Sequence, residues 1–137
     1  MAAYAVTTID ALPSIDDEGV DWRPIQHYFG LSAFGINVCR AAAGTHLIAD
    51  HDERTGDHEE IYLVLEGEVE FTVGEETFDC ARGGLVVVKN PAVRRRGVAK
   101  GPAVVLALGA PRRERFESTW RPDHFAGVPT YDEVSKG

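Results

Sequence analysis

The sequence GDHEEIYLVLEGEVEF, residues 56–71, places a histidine and two carboxylates directly before a run of apolar residues. Side chains along a strand alternate between its two faces, so His58, Glu60 and Tyr62 are expected to share one face. An enclosed carboxylate needs a compensating positive charge, and a few polar groups at the end of an apolar wall are typical of ligand sites. These three residues are therefore candidate catalytic residues. Glu60 or His58 would act as general base or acid, and Tyr62 would donate a proton or line the wall.

The same region contains the nitrogen and oxygen donors that a divalent metal ion prefers. His51, His58 and Glu60 form the main candidate ligand set, and Glu53 and His46 are weaker candidates. Such a set with open coordination positions would suit iron, manganese, nickel or zinc. Incomplete clusters of this kind also occur as purely structural groups, so a metal-free site is the alternative.

Composition restricts the class of protein. The chain has 137 residues, enough for one domain with a real core, and its formal net charge of −8 would repel phosphate backbones. We therefore expect no nucleic-acid partner. No apolar run is long enough to span a bilayer and no secretory signal opens the chain, so we expect no membrane partner and a cytoplasmic location. Cys39 and Cys80 do not form a CxxC pair and are expected to be reduced structural thiols.

Short apolar runs separated by turn residues predict an all-β fold of eight or nine strands. The run LVVV, at 85–88, is expected to be buried on both faces. The predicted strands are 25–29, 33–42, 46–50, 60–66, 68–73, 76–80, 85–88, 94–99 and 103–109.

Three regions are expected along the chain. Residues 1–24 form an N-terminal lead-in, residues 25–110 the β-barrel and residues 111–137 a C-terminal tail. Within the tail, RERFESTW at 113–120 could form one short helix, because Phe116 and Trp120 are four residues apart. A tail so rich in aromatic residues is expected to pack on the barrel or on a partner subunit.

Gly44, His51, Glu60 and Gly67, together with GGLVVVKNPAVRRR at 83–96, resemble the two sequence motifs of the cupin superfamily. The first cupin motif begins with glycine, continues with two histidines one residue apart and a glutamate, and ends in glycine. The second contains a glycine-bounded strand, a proline turn and a fourth ligand, a histidine. The resemblance implies a cupin-type double-stranded β-helix, a jelly-roll barrel that is often dimeric and holds its site inside.

The metal-binding motif is degenerate in this chain. Glu53 stands where the second histidine is expected, and the fourth ligand falls at Arg94 or Arg95. An arginine aimed at the site would repel a divalent cation and could pair with Glu60, whereas an arginine pointing to solvent would do neither. Arg94 and Arg95 are therefore candidate substrate-binding residues that could clamp a carboxylate or phosphate.

The resulting hypothesis is a small-molecule-binding cupin that acts as an enzyme on a small organic metabolite, with an anionic one favoured by the arginines. The alternative is a non-catalytic ligand-binding or sensing cupin without metal. A metal would allow Lewis-acid or oxygen chemistry, and a metal-free site would favour proton transfer, as in isomerisation, epimerisation or elimination. A homodimer is also expected, because the apolar face at Ile61, Leu63 and Leu65 must be covered, either by a second copy or by the chain's own second sheet.

Overall fold

The computed structural model describes residues 3–114 and 121–135. The helices in these ranges are short, and none is long and apolar enough to cross a membrane. The helical elements are α1 (Ile25–Phe29), α2 (Tyr131–Ser135) and the 3-10 helices Ile9–Ala11 and Pro122–Phe125. The strands are β1 (Ile15–Asp17), β2 (Val20–Arg23), β3 (Gly35–Ala41), β4 (His46–His51), β5 (His58–Glu66), β6 (Glu68–Val73), β7 (Glu76–Ala81), β8 (Leu85–Val88), β9 (Arg95–Ala99) and β10 (Ala103–Pro111).

The strands form two antiparallel sheets, which confirms the all-β prediction. One sheet has six strands in the order β1-β2-β3-β10-β5-β8, and the other has four in the order β4-β9-β6-β7. Sequence neighbours such as β3 and β4 lie in different sheets, so the chain crosses repeatedly from one sheet to the other. This crossing encloses one core between the sheets, to which Val64 and Val105 contribute from the larger sheet and Ile48, Val69 and Phe71 from the smaller.

The alternation of β5 determines which of its side chains face the core. Tyr62 and Val64 are buried, whereas Ile61 on the opposite face is 37% exposed. The neighbouring edge strand β8 alternates in the same way, with Val86 buried and Val87 57% exposed. The expectation that LVVV is buried on both faces is therefore wrong, because β8 ends its sheet and nothing in the described chain covers its outer face.

Residues 25–29, predicted to be a strand, form the helix α1 instead. Gly30, at φ 64°, adopts the left-handed conformation that ends this helix. The Gly30 N–H donates to the His27 carbonyl and the Leu31 N–H donates to the Gln26 carbonyl. These bonds give the carbonyl groups at the end of the short helix their hydrogen-bond donors. The apolar pattern IQHYF fits one helical turn as well as a strand. The glycine that follows it favours the helix, because it can adopt the left-handed conformation that ends one.

The N-terminal segment contributes two strands to the larger sheet. β1 and β2 form a hairpin whose turn contains Glu18 at φ 51° and Gly19 at φ 88°. β2 then pairs with β3, which places Trp22 opposite Cys39. The larger sheet therefore includes residues that the sequence assigned to the lead-in, and the hairpin turn lies at the mouth of the space between the sheets.

The C-terminal tail begins at the end of β10. Its apolar side chains in the described ranges, Phe125, Val128, Tyr131 and Val134, are exposed. Most of the helix predicted at 113–120, including Phe116 and Trp120, lies outside the described residues. Packing of the tail on the barrel or on a partner subunit therefore stays a prediction.

Gly67, which ends the motif EEIYLVLEG, makes the tight connection between β5 and β6. Its φ is 76°, in the left-handed region that favours glycine. A Cβ at this position would overlap the Pro102 carbonyl oxygen and crowd Ala103. The glycine thus lets the β5–β6 turn approach the start of β10. This strand pairs with β5 from one end of β5 to the other.

Candidate functional site

A cavity of about 460 Å³ lies between the two sheets. This volume is in the range of ordinary small-molecule sites, about 300–1,000 Å³. Part of the wall is apolar and aromatic, with Trp22, Leu47 and Ile48 among its residues. The acidic residues and histidines of the lining are Asp17, Glu18, His46, His51, Glu53 and Glu60.

Glu60 projects from β5 into the polar end of this cavity. Tyr62, two residues further along the same face, donates its hydroxyl proton to Glu60 Oε1 at 2.6 Å. Gly109 on β10 is the register partner of Glu60, and a Cβ there would lie 3.0 Å from Glu60 Cγ. The missing side chain of Gly109 therefore gives the carboxylate its room, and the pairing of β5 with β10 fixes its place.

His51 lies beside Glu60 at the end of β4. Its Nδ1 is 2.6 Å from the Ala49 carbonyl oxygen, and its Nε2 is 2.9 Å from Glu53 Oε1 and 3.7 Å from Glu60 Oε1. Because both ring nitrogens face oxygen acceptors, the contacts favour the doubly protonated imidazolium. The pKa of His51 is raised to about 9 by Glu60, which outweighs the opposing effect of burial, and further by the Ala49 carbonyl and the Glu53 charge.

The same contacts move the pKa of Glu60 in the opposite direction. Burial by itself would raise the pKa of the Glu60 carboxyl, but His51, the Tyr62 hydroxyl and the Arg95 charge together lower it below its usual value. The pKa of Tyr62 is raised far above its usual value, first by burial and then by the Glu60 charge and hydrogen bond. The site therefore contains an ionised carboxylate, a protonated histidine and a neutral tyrosine at neutral pH.

Glu53 enters the site from the loop between β4 and β5. Its backbone N–H donates to the Pro91 carbonyl oxygen at 2.8 Å, which holds the loop against the barrel. His58 contacts the other side of Glu53, with Nδ1 at 3.5 Å from Glu53 Oε2, and does not line the cavity. The structure therefore brings together His51, Glu53 and Glu60, while His58 lies behind them and His46 lines the cavity outside this group.

Arg95 lies beneath Glu60, with its side chain fully buried. Its Nη1 is 3.6 Å from Glu60 Oε1, and none of its three guanidinium nitrogens has a hydrogen-bond partner among the described residues. Arg94, one residue earlier, points outward and pairs with Asp50 at 3.1 Å. Neither arginine lines the cavity, so neither is placed to clamp a ligand there.

Solved structures with similar folds identify the architecture. No family model and no curated protein matches the sequence. A cupin protein from Bacteroides fragilis superposes with a TM-score of 0.70 at 17% identity, covering 87% of this chain and 93% of that one. The chain has the cupin fold. KdgF from Halomonas sp. is similar over 82% of this chain and 97% of its own, with a TM-score of 0.66 and 19% identity.

A sugar phosphate isomerase of the cupin superfamily, from Silicibacter pomeroyi, has the same fold. Its TM-score is 0.64 at 17% identity, over 77% of this chain and 75% of that chain. These comparisons confirm that the resemblance to cupins in the sequence reflects a shared fold. At such low identity they show the architecture alone.

The cupin resemblance implies a metal ion at the group formed by His51, Glu53 and Glu60. One donor atom from each residue lies within 4.8 Å of the other two, close enough to converge on one ion. The guanidinium of Arg95, however, lies at the position expected for the fourth ligand, and it already balances the charge of Glu60. A divalent ion would face this buried cation at short range, so the residues present do not fit the metal.

Several lining residues were not identified from the sequence. Asp17 and Glu18 reach the cavity from the β1–β2 turn, and Trp22 lines it from β2. Asn37 and Ala107 lie on the inner face of adjacent strands, as register partners of each other. Alternation along β10 could have assigned Ala107 to the inner face, but no local pattern links the hairpin to the barrel mouth.

Proposed function

We propose that the chain binds a small polar metabolite in the barrel cavity and catalyses proton transfer on it, with Glu60 as general base and His51 as general acid. The observation that carries the proposal is that both groups line one cavity and that their pKa values are moved apart, Glu60 downward and His51 upward. Two neighbouring titratable groups with separated pKa values are the usual arrangement for acid–base catalysis. Isomerisation, epimerisation and elimination are reactions that a general base and a general acid can catalyse without a further catalytic group.

The surrounding residues hold these two groups in place. Tyr62 has its hydroxyl proton committed to Glu60, so it orients the carboxylate. Glu53 accepts from His51 Nε2 and His58 contacts Glu53 in turn, which makes His58 a support for the site. This assignment gives His51 the role that the sequence gave to His58, because His51 is the histidine that lines the cavity.

The lining favours a neutral or positively charged ligand. Four of its residues, Asp17, Glu18, Glu53 and Glu60, carry carboxylates, and none of the described residues that line it is a lysine or an arginine. An anionic ligand, which the arginines suggested, would meet these four carboxylates, and the protonated His51 beside them is already paired with Glu53 and Glu60. Trp22 offers an aromatic surface in the same cavity, suited to an apolar or cationic part of a ligand.

Ligand binding without chemistry is the second candidate function. The Glu60 carboxylate is stabilised by Tyr62, His51 and Arg95, and a carboxylate with a lowered pKa is a weak base. If the bound ligand has no acidic proton within reach, the same groups would serve as hydrogen-bond partners for recognition.

A two-step experiment separates these functions. A thermal-shift screen of neutral polyols, amines and carboxylates identifies ligands, and each hit is repeated with Glu60→Gln and with Glu59→Gln as the matched control on the outer face. NMR in D2O then follows exchange of ligand C–H protons. Exchange that depends on Glu60 and not on Glu59 supports catalysis, and binding that is weakened in Glu60→Gln without any exchange supports the second candidate. Ligands that bind equally well to the wild type and to Glu60→Gln, and that show no Glu60-dependent exchange, would contradict a role for Glu60 in this cavity.

We also propose a homodimer that covers the outer face of the larger sheet. Ile61 on β5 and Val87 on β8 are register partners on this face, and Leu85 beside them is 62% exposed. Exposed apolar clusters on a sheet face are typical of association surfaces. The exposed apolar residues of the described part of the tail would add to such an interface.

A further inference from the structure

We propose that Arg95 replaces the metal ion of this cupin barrel, so that the charge of Glu60 is balanced by a fixed guanidinium and the site works without metal. The proposal goes beyond the function above, because a metal-free site can either catalyse proton transfer or only bind a ligand. It rests on where the Arg95 side chain lies and on what surrounds it.

The buried guanidinium is the first observation. Its side chain has no exposed surface, and its three nitrogens find no hydrogen-bond partner in the part of the chain that the structure describes. Glu60 Oε1, at 3.6 Å from Nη1, is the oxygen that forms an ion pair with it. A buried arginine cannot lose its proton, so its charge depends on this carboxylate.

The strand register is the second observation, because it keeps Arg95 in this position. β9 lies inside the smaller sheet between β4 and β6, where Arg95 is the partner of His51 on one side and of Val73 on the other. Side chains on β9 alternate, with Arg94 and Arg96 exposed on either side of the buried Arg95. The guanidinium could leave the barrel interior only if the strand shifted by one residue.

The consequence for a metal follows from charge and distance. The three donor atoms of His51, Glu53 and Glu60 lie within 4.8 Å of one another. Arg95 on β9 is the register partner of His51 on the neighbouring strand β4. An ion held by these donors would lie next to a guanidinium whose side chain is fully buried. Like charges at such range repel strongly at the effective dielectric of a protein interior.

Replacement of Arg95 by histidine tests the proposal as a gain of metal binding. Wild type, Arg95→His and Arg94→His, all expressed without an affinity tag, are stripped with chelator and titrated with Ni²⁺ and Mn²⁺ by calorimetry, and their metal content is measured by mass spectrometry. Arg94→His is the matched control, since it adds the same histidine one residue away on the outer face. A Glu60→Gln change added to Arg95→His tests whether any binding uses the inner site.

The proposal predicts that wild type and Arg94→His bind no metal through Glu60. It predicts that Arg95→His takes up one equivalent, bound about a hundredfold or more tightly than any residual metal on wild type, and that this binding is lost when Glu60→Gln is added. One equivalent in wild type that disappears with Glu60→Gln alone would overturn it. A folded Arg95→His that binds no metal would also overturn it, because the guanidinium would then not be what excludes the ion.

Folding of the variant is followed in the same samples by circular dichroism and thermal melting. If Arg95→His unfolds without metal but folds when Ni²⁺ is added, the metal has taken over the charge balance and the proposal is supported. If it stays unfolded in both conditions, Arg95→Gln, which keeps hydrogen-bonding capacity without charge, is titrated instead. A folded Arg95→Gln must then gain metal affinity over wild type, and no gain overturns the proposal.

Discussion

Arg95 and Glu60 form a buried ion pair across the barrel, with Arg95 Nη1 3.6 Å from Glu60 Oε1. The arginine comes from the smaller sheet and the glutamate from the larger, so the pair links the two sheets at the polar end of the cavity. It also explains how a carboxylate is tolerated beside the apolar core residues Tyr62 and Val64.

Removal of the arginine charge should destabilise the fold. Arg95→Met keeps much of the side-chain volume but leaves Glu60 without its buried cation, so we expect the free energy of unfolding to fall by about 3 kcal/mol. Arg94→Met, which removes an exposed pair with Asp50, should change it by about 0.5 kcal/mol or less. Urea unfolding monitored by tryptophan fluorescence measures both.

The double variant Arg95→Met/Glu60→Gln is the internal control for that prediction. Because the carboxylate no longer needs a partner, part of the lost stability should return. If Arg94→Met proves as costly as Arg95→Met, or if the double variant shows no recovery, the ion pair does not contribute as described.

Stability should depend on pH through His51. Its pKa is raised from 6.5 to about 9 in the folded chain, so its contribution is fully present below pH 6.5 and is lost as the pH rises through 9. The His51 side chain is 34% exposed, and solvent screening reduces the effect to about 1 kcal/mol. The difference in unfolding free energy between wild type and His51→Gln should shrink from about pH 6 to about pH 9.5. A difference that stays constant or grows would show that His51 is not held as the cation.

Gly109→Ala should disturb Glu60 without replacing an ionisable residue. The new Cβ would lie 3.0 Å from Glu60 Cγ and 3.2 Å from the Glu59 carbonyl oxygen, so the carboxylate must shift away from its hydrogen bond with Tyr62. We expect a loss of about 1–2 kcal/mol. Gly101→Ala, where no atom of the described residues lies within 4 Å of the added Cβ, should be neutral or slightly stabilising. Equal effects of the two changes in urea unfolding would argue against crowding at Gly109.

Val87→Lys should convert the proposed homodimer to a monomer. The lysine would place a charge in the centre of the exposed apolar face formed with Ile61, where burial in an interface is costly. Val6→Lys, at an exposed position of the N-terminal segment, is the matched control. Sedimentation velocity over a range of concentrations measures the state, and a wild type that is monomeric throughout would end the dimer proposal.

Local patterns in the sequence predicted the parts of the fold that depend on one strand at a time. Alternation within β5 predicted that Glu60 and Tyr62 share a face, and the two are joined by a hydrogen bond on that face. The spacing of Glu60 and Gly67 pointed to the cupin fold, because the glycine is required where the turn approaches Pro102. Each of these signals lies within about eight residues of chain.

Relationships between distant segments could not be predicted in the same way. Whether Arg94 or Arg95 points inward depends on the register of β9 against β4 and β6, which no local pattern fixes. Glu53, and not His58, joins His51 and Glu60 because of the path of the β4–β5 loop. Asp57 in this loop has a positive φ of 56°, so the alternation of side chains along a strand does not predict which of them faces the site. The hairpin residues at the cavity mouth were missed for the same reason.

If Glu60 and His51 form an acid–base pair in the barrel cavity, their pKa values must be separated in the way described above, and NMR titration measures both values. Carboxyl 13C and imidazole 15N signals, assigned with Glu60→Gln and His51→Gln, are followed over pH. We expect a pKa for Glu60 below its usual value of 4.5 and a pKa for His51 of about 9. A Glu60 pKa above 4.5 together with a His51 pKa at or below 6.5 would contradict it.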